Sequence, residues 1–162
     1  MHLFNRNTGG NLLIDELSVP QDKWSKAPRH VSFALTNICD LKCAYCYAPK
    51  DRSELKFDDL KNWIAEIDLG GTLGVGFGGG EPTLYPRFVE LCSFAADNSD
   101  LAISFTTHGH RLTKSIAEQL IGNVHFIRVS VDGRRDTYER LRGRSFTGLL
   151  TQIKSQLCNK RM

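Results

Sequence analysis

The sequence predicts an α/β fold in which a curved parallel sheet carries helices on its outer side and keeps an open inner face. Four segments with period-two alternation of apolar residues each precede a helix-like segment, and such strand–helix repeats imply a parallel sheet with right-handed crossovers. In every strand one set of side chains is large and apolar, while the other is small or polar. Because both faces of a doubly wound sheet would be apolar, the small set indicates an inner face that is open to a ligand.

The individual elements follow from apolar spacing and from turn residues. Strands are predicted over 30–37, 72–78, 101–107 and 124–132, where apolar and small residues alternate. Helices are predicted over 57–69, 86–98, 113–121, 135–142 and 147–158, where apolar residues recur three and four positions apart. Asp58 and Thr113 are expected to cap the first and third helices, and Gly70 with Gly71 should end the first.

Length and composition fit one domain with a core. The chain has 162 residues, of which 41% are hydrophobic, and a net charge of +3, with no dense lysine or arginine run to indicate a nucleic-acid partner. No apolar segment approaches the roughly 20 residues of a membrane helix and no signal peptide is visible, so a cytoplasmic location without a membrane partner is expected. Residues 1–29 are expected to form a leader, and 30–162 the core domain.

Three of the five cysteines form a C-x-x-x-C-x-x-C motif after the first predicted strand, at Cys39, Cys43 and Cys46. An odd, clustered set without a secretion signal indicates metal or catalytic use rather than disulfides. Three thiolates suit an iron–sulfur cluster with one open iron. Cys92 and Cys158 are expected to be buried as small apolar residues.

The other predicted strands also end in unusual residues. The carboxyl ends of parallel strands gather at one rim, where ligands bind in such folds. After the second, third and fourth strands come Gly79-Gly80-Glu81-Pro82, Thr106-Thr107-His108-Gly109, and Ser130 with Asp132 and Gly133. The sequence therefore predicts that these groups face the cysteines across a cavity.

These motifs, in this order, resemble the radical S-adenosylmethionine (radical SAM) enzyme superfamily over about residues 31–142. The resemblance implies a partial (βα) barrel with four of the six βα units of that family's core, its N-terminal two-thirds. It implies that the three cysteines ligate a [4Fe-4S] cluster whose fourth iron binds S-adenosylmethionine. A one-electron donor of the flavodoxin or ferredoxin type would reduce the cluster, and a 5′-deoxyadenosyl radical would then abstract hydrogen from the substrate.

The resemblance also implies which residues contact S-adenosylmethionine: Tyr45, Gly79, Gly80, Glu81, Thr106 and Ser130. The two glycines would let the backbone approach the cofactor, and Glu81 would accept a charge-assisted hydrogen bond from its amino group. Asp132 is expected to bond the turn at Gly133.

Several interpretations stay open at this stage. Arg128 could pair with Asp132 or contact a substrate carboxylate, and His108 is expected to be solvated or structural. The loop sequence resembles enzymes that modify ribosomal peptides or assemble cofactors, so a peptide is one expected substrate. The alternatives are an iron–sulfur electron-transfer module, a catalytically incomplete fragment that ends before a fifth strand, and a zinc-binding interaction domain that adds His108 or His110 to the cysteines.

Overall fold

A computed structural model describes residues 2–5, 7–8, 10–14, 18–49 and 51–157. The first element is a hairpin in which β1 (His2–Asn5) pairs antiparallel with β2 (Gly10–Leu13). Residues 2–5 show too little alternation for the sequence by itself to predict a strand there. Cys158, whose burial was also predicted, lies outside the described residues.

The main sheet consists of four parallel strands in sequential order: β3 (His30–Thr36), β4 (Gly74–Gly79), β5 (Ala102–Thr107) and β6 (Phe126–Val129). The helices that follow them are α1 (Phe57–Leu69), α2 (Phe88–Asn98), α3 (Lys114–Gln119), α4 (Asp136–Arg142) and α5 (Phe146–Leu157). The predicted α/β fold class is therefore confirmed. None of the described helices combines the length and the apolarity that crossing a bilayer demands.

The core lies between one face of the sheet and the first two helices. The strand residues that are almost completely buried in it are Leu35, Val75, Phe77, Ile103 and Phe105. From α2, Phe88 meets Phe105 edge to face at a centroid distance of 5.0 Å, and Cys92 is fully buried, as predicted. On the opposite face Ser32 and Ala34 are exposed, which agrees with the predicted open inner face.

Three predictions concern residues at helix ends, and two of them are confirmed. Thr113 caps α3 by accepting a hydrogen bond from the Ile116 amide at 3.3 Å, and Gly71 follows α1 with a left-handed φ of 88°. The predicted Asp58 cap is wrong, because the cap position of α1 is Lys56 and Asp58 already lies within the first turn. There its charge still favours the helix through the macrodipole.

The fourth strand is shorter than predicted. In the described part of the chain β6 pairs with β5 over four residues, although the Ser130 amide still donates to the Thr107 carbonyl at 2.9 Å. Beyond Ser130 the chain leaves the ladder and turns at Gly133, which has a φ of 146°. Alternation alone continues to Asp132, so the sequence pattern overestimates how far the sheet extends.

Candidate functional site

The three cysteines lie on a loop, residues 38–52, whose two ends are held together at the rim of the sheet. The Asn37 amide donates to the Ser53 carbonyl and the Leu55 amide to the Leu35 carbonyl, both at 2.9 Å. The Asn37 side-chain amide donates to an Asp51 carboxylate oxygen, also at 2.9 Å. These bonds extend the pairing of β3 beyond its end, so this cysteine loop starts from a fixed base.

All three thiols are half-buried. The Leu41 amide donates to the Cys39 sulfur at 3.4 Å, which is the kind of contact that tunes thiolate ligands of iron–sulfur clusters. Burial raises the pKa of the free Cys39 thiol. Three soft donors on one short loop, close to solvent and supported by an N–H···S bond, fit a cluster that keeps one iron open.

Asp40, the residue after the first cysteine, ties the cysteine loop to the chain beyond β5. Its carboxylate lies 2.9 Å from His108 Nε2 and 3.3 Å from the Arg111 guanidinium, and the Arg144 guanidinium is 3.7 Å away. Partial burial opposes ionisation, but the hydrogen bonds from His108 and Arg111 outweigh it and hold the Asp40 pKa below its ordinary value. The sequence analysis did not single out this residue.

Tyr45 forms a second anchor. Its hydroxyl donates to Asp132, which also accepts from Arg142 Nε, and the Arg142 guanidinium lies 5.6 Å from the Tyr45 ring centroid. The hydrogen bond from Arg142 lowers the Asp132 pKa. In the described part of the chain, Asp132 bonds Tyr45 and Arg142 through one carboxylate oxygen and not, as was expected, the turn at Gly133; it also does not pair with Arg128, which was one of two possibilities left open for that arginine.

Glu81 is completely buried, and its carboxylate connects two rim segments. One oxygen accepts from the Thr83 and Thr107 hydroxyls at 2.6 and 2.7 Å. The other accepts from the His108 amide at 2.9 Å. Glu81 therefore joins the residues after β4 to those after β5. The expected hydrogen bond from a cofactor amino group would come in addition to the hydrogen bonds that its carboxylate already accepts.

His108 is structural rather than solvated, with 4% exposure. Its Nδ1 accepts from the His110 amide at 3.1 Å, which assigns the ring hydrogen to Nε2, facing Asp40. His110 Nε2 in turn lies 2.9 Å from the Tyr138 hydroxyl. Donor atoms of Cys39, Asp40 and His108 do lie within 4.8 Å of one another. However, both ring nitrogens of His108, one of the histidines that the zinc alternative would use, already have partners in Asp40 and in the His110 amide.

The two glycines at the end of β4 have a packing role that the sequence analysis did not predict. A Cβ on Gly79 would lie 2.4 Å from the Thr36 carbonyl oxygen, and one on Gly80 would lie 2.3 Å from that of Ile38. These glycines let β4 pack against the start of the cysteine loop. Gly78 is the one that faces open space, with nothing within 4 Å of an added Cβ.

We therefore expect opposite effects from two alanine substitutions in this turn. Gly80→Ala drives a methyl group into backbone, so it should lower the free energy of unfolding by about 2–4 kcal/mol and disturb the cysteine loop. Gly78→Ala should leave stability unchanged or raise it by about 0.5 kcal/mol, because alanine restricts the unfolded chain and the added methyl group has no atom within 4 Å. Chemical denaturation measures both variants, and equal losses would contradict the structural distinction.

Of the other residues predicted to contact the cofactor, Thr106 and Ser130 are half-buried. Thr106 pairs with Arg128 across the β5–β6 ladder. The residues that the sequence analysis missed are Asp40, Thr107 and Arg142. Asp40 is recognisable in retrospect as an acidic residue inside the cysteine motif, whereas Arg142 is one of two arginines on α4 and nothing in the sequence distinguishes it.

Together these features define a class of protein: a parallel α/β sheet that carries a thiolate-rich loop and a glycine-rich turn on one rim. The sequence profile of the Radical SAM superfamily matches residues 33–148, which is most of the chain. The chain belongs to the radical SAM superfamily, which confirms the family membership that the sequence motifs predict.

Several known proteins are similar to this chain. Mycofactocin maturase MftC of Mycobacterium tuberculosis is 32% identical over 111 residues, which cover 66% of this chain and 28% of MftC. Fe-coproporphyrin III synthase of Methanosarcina barkeri is 33% identical over 119 residues, covering 70% of this chain and 29% of the synthase. The chain thus spans less than a third of the length of these two curated relatives.

Solved structures show the same fold. Streptococcus suis SuiB bound to S-adenosylmethionine aligns with a TM-score of 0.70 and 23% identity, over 80% of this chain and 31% of SuiB. SuiB bound to its precursor peptide SuiA aligns with a TM-score of 0.67 over 80% of this chain and 30% of SuiB, again at 23% identity. At this identity the likeness concerns the fold, which agrees with the predicted partial barrel.

Proposed function

We propose that this chain is the cofactor-binding part of a radical SAM enzyme that modifies a peptide. The observation that carries the proposal is the cysteine loop, on which three half-buried thiols are fixed at the rim through Asp40 and Tyr45. Cys39, Cys43 and Cys46 would hold a [4Fe-4S] cluster with one iron open to S-adenosylmethionine. When bound, these groups supply reductive cleavage of the sulfonium and abstraction of a hydrogen atom from the substrate.

The chain's own residues hold and orient these groups. Arg142 donates to the Asp132 carboxylate that also accepts from Tyr45, and its guanidinium lies 5.6 Å from the Tyr45 ring centroid, so it holds the cysteine loop beside Cys46 in place. Cofactor contacts are proposed for Tyr45, Gly79, Gly80, Glu81, Thr106 and Ser130. Since Gly79 and Gly80 pack against backbone, we propose that they present main-chain groups, and that Gly78 leaves the space that the cofactor occupies.

The substrate class and the partners extend the proposal. MftC is named a maturase and SuiB was solved with a precursor peptide, which supports a peptide substrate for this chain. We further propose a flavodoxin- or ferredoxin-type electron donor, a cytoplasmic location, and a division into residues 1–29 and a core of residues 30–162.

Anaerobic reconstitution of the full chain with iron and sulfide tests the proposal. We expect a brown protein whose reduced cluster gives an electron paramagnetic resonance signal that changes when S-adenosylmethionine is added. With dithionite it should form 5′-deoxyadenosine. A colourless zinc protein would overturn the cluster assignment. A reducible cluster that never cleaves S-adenosylmethionine would favour the electron-transfer or incomplete-fragment alternatives.

A further inference from the structure

The inner face of the sheet carries a polar cluster below the rim, formed by His30, Ser32, Ser104 and Arg128. His30 Nδ1 lies 3.5 Å from the Ser32 hydroxyl, and His30 Nε2 lies 3.5 Å from the Ser104 hydroxyl. The imidazole crosses β4 at Gly76, where an added Cβ would lie 2.6 Å from His30 Cε1. Glycine at position 76 therefore gives the ring its place on this face, which the alternation of the strands otherwise keeps small.

Arg128 supplies a positive charge to the same face. Its strand partner is Thr106, two residues beyond Ser104 on β5. Burial, followed by the charge of Arg128, lowers the pKa of His30. No carboxylate in the described part of the chain forms a salt bridge with Arg128, whose recorded contact is the Phe126 ring at 5.7 Å.

A guanidinium without an acidic partner among the described residues, on the same sheet face as two hydroxyls and an imidazole, has the chemistry that recognises an oxyanion. Neighbouring strands lie about 4.8 Å apart and residues rise about 3.3 Å along a strand. Arg128 is thus directly beside Thr106, one of the residues proposed to contact S-adenosylmethionine. Ser104 lies two residues earlier on β5, about 7 Å farther from the rim along the strand. An anion held here would lie beside the row of residues proposed to contact S-adenosylmethionine.

We infer that this inner-face cluster binds a carboxylate of the substrate, with Arg128 as the charged donor and His30 and Ser104 as its polar support. The inference rests on the proposed function, from which the peptide substrate is taken. It narrows that substrate to a peptide that presents an acidic side chain or a terminal carboxylate to the inner face. It also assigns a role to Arg128, for which the sequence left two possibilities.

The test uses the full chain without reconstitution, so that its outcome is independent of cluster chemistry. Succinate is titrated into protein with isotope-labelled histidine, and the His30 ring resonances are followed by nuclear magnetic resonance. Succinamide is the neutral matched probe and inorganic phosphate the alternative anion. We expect saturable shifts with succinate, none with succinamide, and a loss of succinate affinity of roughly ten- to a hundredfold in Arg128→Gln, as for removal of a charge-assisted hydrogen bond.

Arg87→Gln is the matched control, because Arg87 pairs with Glu90 on the surface of α2, at 2.7 Å; it should bind succinate like the wild type. Equal binding by Arg128→Gln, or equal shifts with succinamide, would overturn the inference. Tighter, Arg128-dependent binding of phosphate would overturn the carboxylate assignment. Failure of cluster assembly would refute the proposed function and leave this result standing, so the two failures are distinguishable.

Discussion

Replacing Cys43 with alanine should abolish the iron–sulfur cluster. Two thiolates remain in Cys43→Ala, and two protein ligands do not hold a cubane that already leaves one iron open. Cys43 lies between Cys39 and Cys46 on the cysteine loop, and Cys92, the other cysteine in the described part of the chain, is fully buried in α2 and cannot substitute for it. Iron and sulfide content, together with the absorbance of the reconstituted protein, measure the loss.

Cys92→Ala is the matched control. Cys92 is fully buried in α2, and burial raises its pKa to about 12, so its thiol stays protonated at neutral pH and out of reach of iron. The control should load as much iron as the wild type, although the lost sulfur leaves a small cavity that costs about 1–2 kcal/mol of stability. If Cys43→Ala retained wild-type iron while Cys92→Ala lost it, the ligand assignment would be refuted.

The fold was predictable because its signals are local and repeated. Alternation locates each strand of the sheet, and apolar spacing reproduces α1 with its observed ends. The misses occur where a tertiary contact decides. The β6 strand ends where its ladder with β5 ends, and the alternation along a single segment does not contain that contact.

The candidate site was predictable in its motifs and less so in its contacts. The cysteine spacing, taken together with the motifs that follow the later strands, indicates three candidate ligand residues. The partners of Asp40 lie 68 and 71 positions away along the chain, and Tyr45 meets Asp132 at a separation of 87. Such pairs depend on how the rim segments meet in space, so one sequence by itself gave no means to find them.

Glu81→Ala should destabilise the chain even before any cofactor binds. The substitution leaves the His108 amide and the Thr107 hydroxyl, both buried, without their acceptor, and each orphaned group costs about 1–3 kcal/mol. We expect the free energy of unfolding to fall by about 3–5 kcal/mol, a large part of the 5–15 kcal/mol typical of a domain. Glu81→Gln keeps one carbonyl acceptor and should lose about 1–2 kcal/mol.

Glu90→Ala provides the comparison, because Glu90 forms an exposed pair with Arg87 and such pairs contribute less than about 1 kcal/mol. Denaturant unfolding of the unreconstituted protein separates two roles for Glu81. If the carboxylate served solely to receive the amino group of S-adenosylmethionine, Glu81→Ala would unfold like the wild type and lose affinity for the cofactor. Because its oxygens already join the segments after β4 and β5, we expect the stability loss to come first and the weaker cofactor binding to follow from the displaced rim.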